Sequence, residues 1–140
     1  MLDLAPWRDR CTAVMDTGTP VSLAATVDSA KKAKALPSLQ LVAGRDRVRQ
    51  QPQVGGTRHR VTAEVMLVSA VPRHGQAALP EGSDMLTALR EPSLGALIGW
   101  LPPGGEIEIH WNGGQLLALA DHALFWVDVL STDYWWRTTP

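Results

Sequence analysis

Leu124-Phe125-Trp126-Val127-Asp128-Val129, running on to Tyr134-Trp135-Trp136-Arg137, is the stretch that decides how this chain folds. Large apolar groups fall on both alternating faces. The strand they predict is therefore covered on both sides, by its own domain or by a neighbouring copy. Just upstream, Ile107, Ile109 and Trp111 alternate with Glu106, Glu108 and His110, the period of a strand. Asn112-Gly113 predicts a tight hairpin into a strand over 115–120, and Asp121-His122-Ala123 turns the chain into the final strand. Five of the six tryptophans lie between Trp100 and Trp136, so contact-forming surface is concentrated at this end.

Working back, Ser83 predicts the cap of a helix whose apolar stripe is Leu86, Leu89, Ser93, Leu97 and Trp100, with Trp100-Leu101-Pro102 closing it. Pro92 lies inside, against the carbonyl of Ala88, and predicts a kink or a break. From Arg58 the pattern is two-fold: His59, Val61, Ala63, Val65 and Leu67 share one face, and Arg60, Thr62, Glu64 and Met66 the other. That is a strand with one face wet for most of its length. Leu39 to Ala43 reads as a buried strand. Residues 44–57 hold charge, Gln50-Gln51-Pro52 and Gly55-Gly56 without periodicity, which predicts a long mobile loop or an extended hairpin arm.

At the front, Asp3 predicts the cap of a helix carrying Leu4, Trp7, Cys11, Val14 and Met15 at helical spacing, with Pro6 tolerated in its first turn. Val21 to Leu23 is a short strand or already the start of the next helix. Ala24 to Leu36, rich in alanine and lysine, predicts that helix with Val27 and Ala30 inward, Lys31, Lys32 and Lys34 outward, and Pro37 ending it. The expected architecture is α+β over a single domain, 1–140: a mainly antiparallel (mixed) sheet with helices on one face, plus the arm at 44–57. The expected core includes Trp7, Val65, Leu67, Leu89, Leu97, Trp100, Trp126 and Val127.

The chain has 140 residues, 45% hydrophobic and 19% charged, which suits one folded domain rather than a disordered segment. Its formal net charge of -1 gives no overall drive toward nucleic acid or membrane. No apolar run approaches the roughly 20 residues that span a bilayer. Met1-Leu2-Asp3-Leu4-Ala5-Pro6 lacks the order of a signal peptide, so synthesis and maturation in a cytoplasm are expected. The single cysteine, Cys11, allows no internal disulfide or cysteine zinc cage and reads as a small core residue. Charge distribution is more telling. Arg45, Arg47, Arg49, Arg58 and Arg60 face only Asp46 between Gly44 and Val61, whereas Glu106, Glu108, Asp121, Asp128 and Asp133 follow with Arg137 alone. Such segments either meet head to tail between identical subunits or lie as solvated loops.

Chemistry is hard to find. His59, His74, His110 and His122 are not paired at metal-ligand spacing, and no H-E-x-x-H, C-x-x-C, EF-hand or G-x-S-x-G pattern occurs. The glycine pairs sit at turns and open no helix as a phosphate loop would. Asp121-His122 with a distant Ser69 or Ser131 is a combination any chain of this size offers by chance. The tryptophans read as core or subunit interface; a base-stacking platform would interleave them with Lys and Arg. No catalytic residue, metal or cofactor is expected, and the arginine arm is the only feature suited to nucleic acid.

Several small motifs together resemble the tail terminator proteins of long-tailed bacteriophages: Leu97-Ile98-Gly99-Trp100-Leu101-Pro102, Gly113-Gly114-Gln115-Leu116-Leu117, Phe125-Trp126 and Tyr134-Trp135-Trp136-Arg137. Leu36-Pro37 leading into Leu39-Gln40-Leu41-Val42, and Arg60-Val61-Thr62, are similar too. The likeness spans nearly the whole chain and departs at Pro92, where a continuous helix is expected, and at Ala43-Gly44, where a proline often follows the strand. It implies a structural virion protein: a ring, usually six copies, at the head-proximal end of the tail tube. Such a ring stops tube polymerisation and offers a surface to head-completion or neck proteins. It also implies assembly in the host cytoplasm, the tube protein as partner and no membrane. The candidate subunit or tube interface is then Arg45, Arg47, Arg49, Gln50, Gln51, Arg58, Arg60, Asp128, Asp133 and Trp136, with passing contact to DNA in the lumen. The rival readings are another tail or neck ring component, such as a tube or head-completion protein, and a small host ligand-binding or enzymatic domain.

Overall fold

The C-terminal stretch forms one strand, β5 (Ala123–Arg137), paired on both edges along most of its length. The computed structural model describes residues 2–32, 35–50, 56–73, 79–120 and 122–137, with only the backbone path at 50 and 79–83. In chain order the other elements are α1 (Ala5–Val14), β1 (Val21–Ala24), α2 (Val27–Ala30), β2 (Ser38–Gln50), β3 (Arg58–Pro72), α3 (Leu79–Leu97) and β4 (His110–Leu119). The five strands make one sheet in the order β1-β2-β3-β5-β4, in which only the β1/β2 pair is parallel. The class is α+β, as expected.

The sheet separates two apolar clusters. On one face α1 and α3 cover Leu39, Leu41, Val61, Val65, Leu67, Leu124 and Leu130, with Trp7, Leu89 and Leu97 buried among them. On the other, the short α2 caps only one end, where Ala30 meets Val42, Val68, Ala70, Phe125 and Val127. Trp100 and Trp126 are partly buried and pack against the first cluster. Trp100 meets the Trp7 ring edge-on at 6.5 Å, and the Arg10 guanidinium stacks 4.7 Å above it. Arg10 Nε also donates to the Ala96 carbonyl at 2.5 Å, closing the C-terminal turn of α3 with a cation.

Three local expectations change and one open alternative is decided. The helix predicted over 24–36 contracts to α2, capped by the Thr26 hydroxyl accepting from Ser29 N at 3.0 Å. Alanine and lysine propensity is a weak force for a short helix. Here Val21–Ala24 instead pairs with Leu39–Val42. Lys34 lies outside the described residues. Helix α3 begins at Leu79, so Ser83 is interior, and it runs unbroken through Pro92. The proline costs about 3 kcal/mol in a free helix; burial of Leu89 and Leu97 on either side offsets it, and Ser93 Oγ donates to the Leu89 carbonyl at 2.6 Å. Of the strand expected over 106–111 only His110 and Trp111 are strand, and they open β4, which continues through the next predicted strand, so Asn112-Gly113 is no hairpin. It is a β-bulge, the register stepping from Trp111↔Leu130 to Gly114↔Asp128, with Gly113 at φ +108°. Finally, residues 44–50 are the outer half of β2, so the arm is a hairpin leg paired to β3.

Bulges fall on the flanking strands. β2 slips register twice against β3, and β4 twice against β5, while β3 and β5 run opposite each other without a slip. Each slip adds a residue on the outside and increases twist. At Gly44 the approach is so close that a Cβ would stand 2.8 Å from the Glu64 carbonyl oxygen.

Candidate assembly interface

The charged residues sort into those neutralised inside the chain and those left facing out. Asp128 belongs to the first group. It points toward the helix-covered face, fully buried, and takes the Arg90 guanidinium in a two-point pair: Nε to Oδ2 at 2.8 Å and Nη2 to Oδ1 at 2.9 Å. The indole N–H groups of Trp111 and Trp126 also reach Oδ1, at 3.2 and 3.4 Å, and Arg90 stacks 4.9 Å from the Trp126 ring centre. Hydrogen bonding to Asp128 holds the Arg90 pKa above its ordinary value. Gly114 makes room for this cluster, because a Cβ there would collide with the Asp128 carboxylate and the Trp126 indole. Asp128 is thus a structural hub, with no carboxylate oxygen presented to a neighbouring copy.

Asp133 is nearly as enclosed. Arg60 Nε donates to Oδ2 at 2.8 Å and the Thr62 hydroxyl to Oδ1 at 2.6 Å, across the β3/β5 ladder on the face that α2 leaves open. Arg60 and Asp133, both proposed from sequence as interface residues, therefore neutralise each other within one chain. On the opposite face the Tyr134 hydroxyl donates to Asp46 Oδ2 at 2.7 Å, tying the outer half of β2 to β5 over the top of β3. Burial, and then this hydrogen bond, push the Tyr134 pKa up to about 12. Arg58 stacks 4.2 Å over Trp135.

The remaining arginines project. Arg45 reaches Glu64 only at 3.8 Å and is largely exposed, while Arg47 and Arg49 are exposed with no salt-bridge partner among the described residues. Arg47, Arg49, Thr62, Glu64, His110 and Ser131 rim a shallow depression of about 420 Å³. Trp136 is 48% exposed at the end of β5. The Gln50 backbone pairs with Arg60, and Gln51 lies outside the described residues.

Of the residues considered for chemistry, Ser69 is fully buried on the helix-covered face, while Ser131 accepts from Asn112 on the open face. The sheet itself separates them. His122 and His110 are exposed; Asp121 and His74 lie outside the described residues. No group of three or more His, Cys, Asp or Glu suited to a metal occurs among the described residues. Cys11 is buried, and desolvation pushes its thiol up to about 12, far from the thiolate a nucleophile needs.

A model of the phage tail terminator protein family matches residues 1–140, the whole chain. The chain belongs to that family. No curated protein matches this terminator-family chain. The family is a structural one. No helix among the described residues is long and apolar enough to cross a membrane, and the family suggests a place in the virion.

Sequence reasoning missed Arg90. It follows Leu89 and precedes Ser93 by three residues, so it flanks the buried stripe, and an Asp among large apolar residues on a two-sided strand demands such a partner.

Proposed function

We propose that this chain closes the head-proximal end of the tail tube as a ring of identical subunits, usually six. The ring stops tube polymerisation and presents the surface that head-completion or neck proteins join. Membership of the tail terminator family over residues 1–140 carries the reading. The molecule suits this role. It has a five-stranded sheet, an outer β2/β3 leg bearing the exposed Arg45, Arg47 and Arg49, and large apolar side chains left exposed at the ends of β5 and β4, Trp136 and Trp111. The β2/β3 leg is the part that reaches the neighbouring subunit or the tube protein.

Electron microscopy of particles from a phage lacking this gene tests the proposal. Overlong, irregular tubes without heads are expected. Tails of normal length that fail to join heads would assign the chain to the neck, and normal infectious particles would overturn an assembly role altogether.

A further inference from the structure

The sheet has two unlike outer edges at the same height. β1 covers β2 only as far as Val42, so the described outer side of β2 beyond it, from Ala43 to Arg49, is an exposed edge carrying Arg45, Arg47, Arg49 and the half-exposed Val48. At the far side of the sheet, β4 has no outer partner among the described residues. It begins at His110, and the segment before it lies along the end of β5: Glu106 N donates to the Asp133 carbonyl at 2.6 Å and Thr132 Oγ1 to the Ile107 carbonyl at 2.5 Å, while Ile109 is bonded on its other side to Gly99 and Trp100, leaving the Glu106 and Glu108 side chains to project. Through the register Asp133↔Thr62↔Arg47, Glu106 stands level with Arg47 across the sheet. Glu106 and Glu108 are exposed, without a salt-bridge partner among the described residues, and Trp111 nearby is 47% exposed.

We propose that the Glu106–Trp111 edge of one copy docks on the Ala43–Arg49 edge of the next, head to tail, with Glu106 and Glu108 meeting Arg45, Arg47 and Arg49. The inference rests on the ring reading above and names its subunit contact. Two observations favour a second copy as the occupant. The charges are opposite in sign, exposed and at matching height. Strand β2 runs antiparallel to β3, β3 to β5 and β5 to β4, so β4 and the β2 of a following copy are antiparallel when the sheets continue side by side. The two edges differ, so the contact is heterologous and closes into a ring where the rotation permits. The bulges in both edges leave little uninterrupted backbone for a ladder; charge supplies the specificity instead.

The test places Arg47→Cys and Glu106→Cys together in the phage that encodes the chain, then treats purified particles with a short bismaleimide. Cys11 is buried and does not compete. The double variant should give a ladder of covalent oligomers on a denaturing gel, and each single variant only the monomer band. A monomer band alone from double-variant particles that contain the chain, or dimers from either single variant, would overturn the edge pairing while leaving the terminator reading intact. Absence of the chain from wild-type particles would overturn that reading as well. Charge reversal gives an independent readout by complementation of a gene deletion. Glu106→Arg with Glu108→Arg, and Arg47→Glu with Arg49→Glu, should each lower the yield of infectious particles by roughly tenfold or more. Co-expressing the two reversed chains should restore it, and failure of that rescue counts against the pairing.

Discussion

The two ends of the sheet handle charge in opposite ways. At the end capped by α2 both faces are apolar, with Phe125 and Val127 on one side and Leu67 and Leu124 on the other. The carboxylate that enters this region, Asp128, is taken out of water completely and held by one guanidinium and two indoles. At the other end only one face is covered, and the open face carries Arg60, Thr62, Glu64 and Asp133 as a ladder of paired groups, with Arg47 and Arg49 exposed beside it. A charge in a dry place requires full pairing, whereas a charge at the rim stays free to meet a partner. One end of the molecule therefore neutralises its charge in a dry interior, and the other leaves charge exposed at the rim.

This contrast can be broken by removing charges in turn. Arg90→Ala should have the largest effect, since it leaves the Asp128 carboxylate buried with only indole donors; about 3–5 kcal/mol of stability is expected to be lost, read from urea unfolding midpoints. A loss under about 1 kcal/mol would mean water reaches Asp128 and the hub is not dry. Gly114→Ala comes next, at about 1–3 kcal/mol, because its Cβ forces the Asp128–Trp126 cluster to shift. Combined with Asp128→Ala its cost should shrink, and strict additivity would disprove the steric account.

Asp133→Ala, at the open end, should cost about 1.5 kcal/mol, since Arg60 can turn to water once its partner is gone. A loss equal to that of Arg90→Ala would erase the distinction between the ends. Alkaline titration probes the same boundary. Tyr134 and Cys11 both have folded pKa values pushed up to about 12, from ordinary values of 10.0 and 9.0. Their stabilisation is full below the unfolded values and is lost as pH rises from about 9 to about 12. Tyr134→Phe should flatten the decline from about 10 upward and Cys11→Ala the decline over its whole span from about 9; stability profiles unchanged by both variants would refute it. The smallest effect is expected for Arg47→Ser, within about 0.5 kcal/mol, because its side chain is exposed and has no salt-bridge partner among the described residues.

Where sequence reading succeeded, the deciding force was local. Alternation along Val61, Ala63, Val65 and Leu67 gave β3 its buried face, and the spacing of Trp7 and Cys11 gave α1 its buried stripe. Where it failed, distant contacts outweighed local preference. Asn112-Gly113 has the composition of a hairpin turn, yet β5 is long enough to keep β4 paired past it, so the extra residue becomes a bulge. The region over 24–36 has helical composition, but the free edge of β2 drew Val21–Ala24 into the sheet and left one turn of helix.

The interface residues divide in the same manner. The arginine cluster and the later acidic residues are visible as a pattern in the chain, because counting charge needs no fold. Which of them cancel is a matter of register: Thr62↔Asp133 brings Arg60 and Asp133 together, and Leu67↔Asp128 turns Asp128 under Arg90. By itself the sequence determined the α+β class, the two-sided last strand, the absence of familiar catalytic spacings and the resemblance to tail terminators, since each depends on residue type and short-range period. The tertiary structure decided which charges are buried and which remain free at the rim. Strand register and helix docking set the local solvent exposure, and exposure fixes whether a charge must find its partner inside the chain.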